Sequence, residues 1–409
     1  MKLRIFPDLF LTKLSVFFIL GLSYFSTLYS SNQGIDPTNL LFRYLTLEDG
    51  LPNNKVNAVT MDKDGFMWFG TNDGVCRYDG LSFKDYALDH LSGNLTRTSQ
   101  ISVIKNDSRG NLLIGTYSLF RYNSITDRIE RCDSSGNPEQ TGRVFAIEEG
   151  KNGKIWIGAE NGLFSYNPLT DSLKSYSLQD GKNYTVISLL FDNEKLWLGT
   201  RNNGLLIFDI KSETYSSLSK FAISTNLKDQ INCLYKDKKN TIWAGTQDDG
   251  IFKFSLNDSS LIHIYPDLQN TLSYRIRKII NDKYGNIWVG SRLGIFLQKA
   301  GTDSLILLKQ IDPLPSRSRS NSIYDIFIDR NEIMWLGTFS FGVSYTDFKR
   351  KPFHVYNLSD EETLFFARMI NCFVDCDDNN IWIGTEESGL FLFNKNTLKF
   401  RQFKPEPEI

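Results

Sequence analysis

The residues with chemistry to offer are few and spread along the chain. Three histidines (His90, His263, His354), five cysteines (Cys76, Cys132, Cys233, Cys372, Cys376) and a series of aspartates at 62, 107, 192, 237, 282 and 329 are the candidates for metal, nucleophilic or acid–base work. Cys372 and Cys376 lie four apart with no histidine near them, so a zinc set is not expected. Odd in number and scattered, the cysteines form no disulfide framework and read as small apolar strand residues. A glycosidase needs two carboxylates within about 5–10 Å of each other. The aspartates instead recur once per repeat beside Gly or Asn, which is the habit of turn formers. These residues lead us to expect no catalytic group, no metal and no cofactor.

What spaces them is a repeat. Every tryptophan (Trp68, Trp156, Trp197, Trp243, Trp288, Trp335, Trp382) stands in one frame, with Leu113 filling the same place, at intervals of 41 to 47 residues. Periods of that size belong to solenoids and propellers. In each unit an apolar residue opens a first strand (Val56, Ile101, Val144, Val186, Ile231, Ile276, Ile323, Ile370). A polar turn such as "DKDG" or "DSRG" follows, then a second strand of the type "MWFGT", a turn ending in glycine, an aromatic third strand such as "VCRYD", and a looser fourth. Four short antiparallel strands per unit make a propeller blade. The tryptophan is expected to fill the space between blades, and the glycine after it to leave room where blades converge. At 13 % Phe, Tyr and Trp the composition suits strands packed on strands. The net charge of −1, with both signs interspersed, carries no nucleic-acid footprint.

A ring must hide its edges, and "LFRYLTL" at 41–47 has the character of a fourth strand without its own first three. "KRKPF" then interrupts the pattern after the seventh triplet. The expected fold class is therefore all-β, a seven-bladed β-propeller of four-stranded blades over 41–350 plus the first blade of a second propeller over 351–409. A single eight-bladed propeller is the alternative. Ahead of the ring, Lys2, Arg4 and Lys13 precede the apolar stretch "LSVFFILGLSYFSTL", so 1–31 reads as a signal peptide or an N-terminal membrane anchor that exports the rest to the periplasm. Any membrane contact is expected through that segment alone.

The segment "FRYLTLEDGLPNNKVNAVTMDKDGFMWFGTNDGVCRYDG", 42–80, resembles the opening of the periplasmic sensor region in hybrid two-component systems of glycan-degrading Gram-negative anaerobes, and the later units resemble their regulator-propeller repeats. The resemblance implies a receptor with two seven-bladed propellers, a β-sandwich, a membrane helix, a histidine kinase, a receiver and a DNA-binding domain. This chain departs from that plan by ending one blade into the second propeller. The expectation is thus an N-terminal fragment or truncated product of such a receptor, or a free-standing relative, that senses an oligosaccharide, with kinase activity and any homodimer contact in regions it lacks. The competing class is an exported propeller glycoside hydrolase or lyase.

Ligand groups are sought at the second position of the innermost strand, which reads Asn57, Ser102, Phe145, Ile187, Asn232, Arg277, Tyr324 and Asn371. A strand beside the axis is expected to be apolar or small, so Asn57, Asn232, Arg277 and Tyr324 are the candidate ligand-binding residues. Asn, Arg and Tyr hold sugars by stacking and by hydrogen bonds to hydroxyls. Asn53, Asn54, Arg97 and Gln100, in loops leading into inner strands, are weaker candidates.

Overall fold

A computed structural model of the chain describes residues 40–86, 88, 100–132, 140–177, 184–217, 230–265, 274–308, 321–348, 370–386, 389–397 and 399–403. The leader, "FHVYNL", His90, His354 and Arg97 lie outside the described residues. The chain divides into two compact units, Met1–Arg350 and Lys351–Ile409. All regular structure described is strand apart from two single 3-10 turns, Leu47–Asp49 and Lys151–Gly153.

The first unit holds seven four-stranded antiparallel sheets, here blades 1 to 7. Their innermost strands are Val56–Met61, Val103–Asn106, Val144–Glu149, Val186–Asp192, Ile231–Lys236, Lys278–Asn281 and Ile323–Ile328. In blades 2 and 6 the ladder starts two residues later than the repeat frame suggests. Ile101 and Ile276 are still fully buried and hang by their N–H groups on the carbonyls of Thr71 and Thr246 in the preceding blade. Blade 7 takes its outer strand from the N-terminus: Arg43, Tyr44 and Leu45 pair antiparallel with Tyr345, Ser344 and Val343. At that junction Gly342 has φ +69°, and a Cβ there would collide with the Leu45 carbonyl, so only glycine fits.

The repeated motif resolves into three contacts. The aspartate of the turn accepts two backbone N–H groups through Oδ1, as Asp282 does from Tyr284 and Asn286 at 2.9 Å each, which forms the expected Asx turn. Its Oδ2 accepts the indole N–H of the blade's tryptophan: Trp68 to Asp62 at 2.7 Å, Trp243 to Asp237 at 2.9 Å, Trp288 to Asp282 and Trp335 to Asp329 at 3.0 Å. A buried indole N–H is thereby satisfied while its ring packs on the next blade, Trp243 with Ile276 and Ile279 and Trp335 with Val56 and Val59. In blade 4 the turn is one residue shorter, and the Trp197 indole N–H is left without a partner. The threonine closes the following turn, its hydroxyl donating to the glycine carbonyl, as Thr71 does to Gly74 at 2.9 Å.

The glycine of the motif faces the opening residue of the next blade. A Cβ added to Gly70 would stand 2.5 Å from Cγ2 of Ile101, to Gly115 2.7 Å from Val144, to Gly158 2.8 Å from Val186, to Gly245 2.5 Å from Ile276 and to Gly290 2.9 Å from Ile323. Gly199 meets Ile231 in the same way, and Gly337 of blade 7 meets Val56 of blade 1, which returns the series to its start.

The second unit is one four-stranded sheet, Ile370–Asp377, Asn380–Thr385, Leu390–Asn394 and Lys399–Phe403, with a small core of Ile383, Phe391 and Phe393. Its opening residue Ile370 is 47 % exposed, against 0 % for Val56. Cys372 and Cys376 are exposed here rather than packed as small apolar residues, because nothing covers their strand among the described residues. The other three cysteines are buried as expected.

Gly245 sits at a negative φ, so Gly245→Ala adds crowding against Ile276 without backbone strain. It should lower stability by about 1–3 kcal/mol, read from the urea midpoint of the main unfolding transition. Gly384→Ala, whose Cβ would meet only Cys372 of its own sheet, should leave that transition in place. Equal midpoints for wild type and Gly245→Ala would refute the role given to this glycine.

Candidate functional site

The second-position residues do not sit on plain strands. In blades 1, 3, 4, 5 and 7 the ladder slips there, between Val56 and Ala58, Val144 and Ala146, Val186 and Ser188, Ile231 and Cys233, and Ile323 and Asp325. Asn57, Asn232 and Tyr324 are therefore the extra residues of β-bulges, which bend the strand end and re-aim the side chain, while Arg277 lies just ahead of the Lys278–Asn281 strand with its N–H on the Gly290 carbonyl.

Their partners differ. Asn57 donates through Nδ2 to the Ile101 carbonyl of blade 2 at 2.8 Å and to Asn72 Oδ1 at 3.1 Å, and Gln100 donates to the same Asn72 oxygen at 3.0 Å. Arg277 repeats this link one junction from closure, reaching the Ile323 carbonyl at 3.2 Å and Ser322 Oγ at 2.5 Å. Both side chains thus stitch one blade to the next. Asn232 accepts from Gln230 at 2.6 Å and donates to Gln247 at 3.3 Å, within its own blade. The Tyr324 ring lies 4.0 Å from the Arg277 guanidinium carbon and stacks on Phe339 with 6.1 Å between centroids. Of the weaker candidates, Asn53 Oδ1 accepts from Lys55 N and Asn54 Oδ1 from Leu47 N, both turn-building bonds.

Two further rows join them at the same end of the channel. The residue before each opening apolar position includes Lys55, Arg143 and Arg275, and the residue after each Gly-Thr includes Tyr117, Arg201, Arg292 and Phe339. Lys55 Nζ stands 5.3 Å from the Tyr324 centroid and 5.6 Å from that of Phe339. Arg143 and Arg201 lie 5.5 and 5.4 Å from the Phe145 centroid, and Arg143 Nε donates to Ser102 Oγ at 2.8 Å. Burial, with Arg143 and Arg277 behind it, pulls the Lys55 ammonium below the usual lysine range. Burial lowers Arg143 as well, and Tyr324 is among the groups acting on it. Blades 1, 3, 6 and 7 can meet in this way only around the axis, so these side chains share one channel mouth. Sequence reasoning missed Lys55, Arg143 and Arg201. The available signal was the same frame read one residue earlier and just past the Gly-Thr pair.

Deeper in the channel Lys278 of blade 6 pairs with Asp325 of blade 7 at 2.8 Å, and Asp325 Oδ2 accepts the N–H of Val59 in blade 1 at 2.8 Å. Burial draws the Lys278 ammonium down, but the Asp325 carboxylate more than offsets it, and its pKa ends above the ordinary lysine value. His263, on an outer strand, stacks on Phe252 with 4.0 Å between rings and takes no part in the channel. Among the described residues no group of His, Cys, Asp and Glu could hold a metal ion.

Fold and mouth together define a closed all-β propeller whose repeat motif is spent on packing and whose axial end gathers cations, amides and aromatic rings. The family description "Two component regulator propeller" matches residues 50–73, 227–248 and 318–340, each window taking in the innermost strand, the Asx turn and the Gly-Thr pair of one blade. Three of its units, in blades 1, 5 and 7, thus match the regulator-propeller repeat of two-component systems. Among solved structures it is similar to the extracellular domains of two hybrid two component systems of B. thetaiotaomicron. For BT3049 the TM-score is 0.70 at 23 % identity over 89 % of this chain, and for BT4673 it is 0.62 at 20 % over 90 %. The chain spans about half of each, 49 % and 48 %. Virginiamycin B lyase of Staphylococcus aureus shares the fold at TM-score 0.56 and 15 % identity, over 75 % of this chain and 98 % of the lyase. A 49-residue stretch is 41 % identical to histidine kinase P4 of Formosa agariphila, taking in 12 % of this chain and 4 % of that protein.

A group whose folded pKa is raised contributes stability that is fully present below its unfolded value, about 10.4 for lysine, and is lost as pH rises through the folded value. Thermal melts should therefore fall more steeply above about pH 10.5 for the wild type than for Lys278→Met. Parallel pH profiles would remove the channel ion pair from the account of stability.

Proposed function

We propose that the chain is the ligand-sensing part of a two-component input region, exported to the periplasm, and that it binds an oligosaccharide at the channel mouth without turning it over. One observation carries the reading: side chains from blades 1, 3, 6 and 7, Lys55, Arg143, Arg277 and Tyr324, converge at the axial end of a ring otherwise committed to packing. An aromatic face with guanidinium and amide donors around it is what a sugar needs for stacking and for its hydroxyls. The regulator-propeller match supports the two-component setting. The lyase and the hybrid-system domains share a scaffold, and scaffold alone does not assign chemistry.

On the same reading the sheet of the second unit opens a second ring. Its Gly384 faces only Cys372 of its own sheet, and Phe373 of its inner strand is 63 % exposed, where the first unit buries Val59, Ile104, Ile147, Leu189, Ile279 and Ile326 at the equivalent place.

Calorimetric titration with a panel of oligosaccharides, with product analysis of the same mixtures, tests the first claim. Binding without products is expected, and hydrolysis or elimination of any panel member would overturn the sensor reading. Limited proteolysis tests the second: removal of 351–409 should leave the melting transition of 40–348 unchanged, and loss of that transition would place the last sheet inside the first ring.

A further inference from the structure

We propose that the channel mouth selects an acidic saccharide, with a carboxylate or sulfate group held between Lys55, Arg143 and Arg277 and a sugar ring against Tyr324. This deepens the sensor reading and rests on it.

The charge pattern is the main ground. Elsewhere in the ring several lysines have a carboxylate partner, Lys236 with Asp192 at 2.6 Å, Lys174 with Glu213 at 2.6 Å and Lys278 with Asp325 at 2.8 Å, while Lys154 and Lys253 stand singly over one tryptophan each. Among the described residues, Lys55, Arg143, Arg201 and Arg277 are in no ion pair, although three of them are half-buried. Glu160 is the carboxylate that acts on Arg143, and its Oε2 accepts the Arg143 backbone N–H at 3.3 Å. Like charges gathered from separate blades repel one another in a partly desolvated place, where the interaction is stronger than in water. The directions agree: burial first, then neighbouring cations, lowers Lys55, and for Arg277 burial is followed by Tyr324, which opposes it, and by Arg275 and Arg292, which add to it. With a net charge of only −1 and both signs interspersed, this local excess is not the overflow of a basic protein.

What holds the cations apart is aromatic. Arg277 and Lys55 both lie over Tyr324, and Arg143 and Arg201 flank Phe145. Such contacts offset part of the repulsion but leave the N–H groups that point off the ring plane free for an acceptor. Arg277 spends Nη1 on Ser322 and Ile323. A guanidinium so fixed is matched by a planar carboxylate or a tetrahedral sulfate, whose oxygens accept paired N–H bonds. The ring of Tyr324 then offers a face on which a sugar can stack.

The test is calorimetry on the full chain with four probes: trigalacturonate, a chondroitin sulfate disaccharide, maltotriose and sodium sulfate, at low salt and at about 0.3 M NaCl. At least one acidic saccharide should bind. Its affinity should fall about tenfold or more in Arg277→Gln and in high salt, and maltotriose should bind far less. Lys55→Gln is the second variant, because its ammonium makes ring contacts but no hydrogen bond that the fold would lose, and unchanged melting temperatures certify both proteins. If maltotriose binds as well as the acidic sugars and neither variant changes it, the anionic site is overturned while saccharide sensing stands. If sodium sulfate alone binds, and Arg277→Gln abolishes it, the anion site stands and the saccharide reading falls. If no probe binds wild-type protein at low salt, both are overturned.

Discussion

The first unit depends on one repeated contact, the opening apolar residue of a blade pressed onto the motif glycine of the blade before it. At 0–3 % exposure these residues (Val56, Ile101, Val144, Val186, Ile231, Ile276 and Ile323) are among the most buried in the ring. The approach leaves no volume for a methyl group, which is why glycine stands at 70, 115, 158, 199, 245, 290 and 337. Close packing of this kind tolerates neither enlargement nor a gap, so the contact sets both the distance and the angle between blades. Seven such angles bring Gly337 to Val56, and the N-terminal strand and the Asp325 bond to Val59 then join the first blade to the last.

The rim follows from the same contact. Because the opening residue must face the previous blade while the strand must then pair with its own second strand, the chain gains a residue between the two, and that residue is the bulge. Its side chain is half-buried at the mouth. Polar residues there can reach the next blade, as Asn57 and Arg277 do, so polarity at this row has a structural use of its own. Arg143 also reaches a neighbouring blade, through Ser102 Oγ, whereas among the described residues Lys55 and Arg201 make ring contacts alone, and they separate a stitched rim from a charged one.

On the proposed reading, packing and recognition are divided between different positions of one repeat. Asp, Trp, Gly and Thr recur because every blade must solve the same problems of turn, wedge, approach and closure. The rim rows vary from blade to blade because each side chain faces a different part of one shared space. A scaffold of this sort is compatible with sensors and lyases alike, and its chemistry is decided by those variable rows.

The sequence by itself determined the all-β class, the four-strand unit, the turn role of the aspartates and the wedge role of the tryptophans. Each follows from local chemistry repeated in a fixed frame: a turn former, a large ring, a residue without Cβ. It also marked "LFRYLTL" as an outer strand lacking its own blade, and Arg43–Leu45 takes that place beside Val343–Asp347. Tertiary structure alone decided which residues meet. That Asp62 holds the Trp68 indole, that Asn57 sits on a bulge tied to Ile101, and that Cys372 and Cys376 lie exposed could not be read from spacing. The channel mouth is the clearest case. Lys55, Arg143, Arg277 and Tyr324 are far apart in the chain and follow no common motif of their own, and closure of the ring is what brings them to one axis.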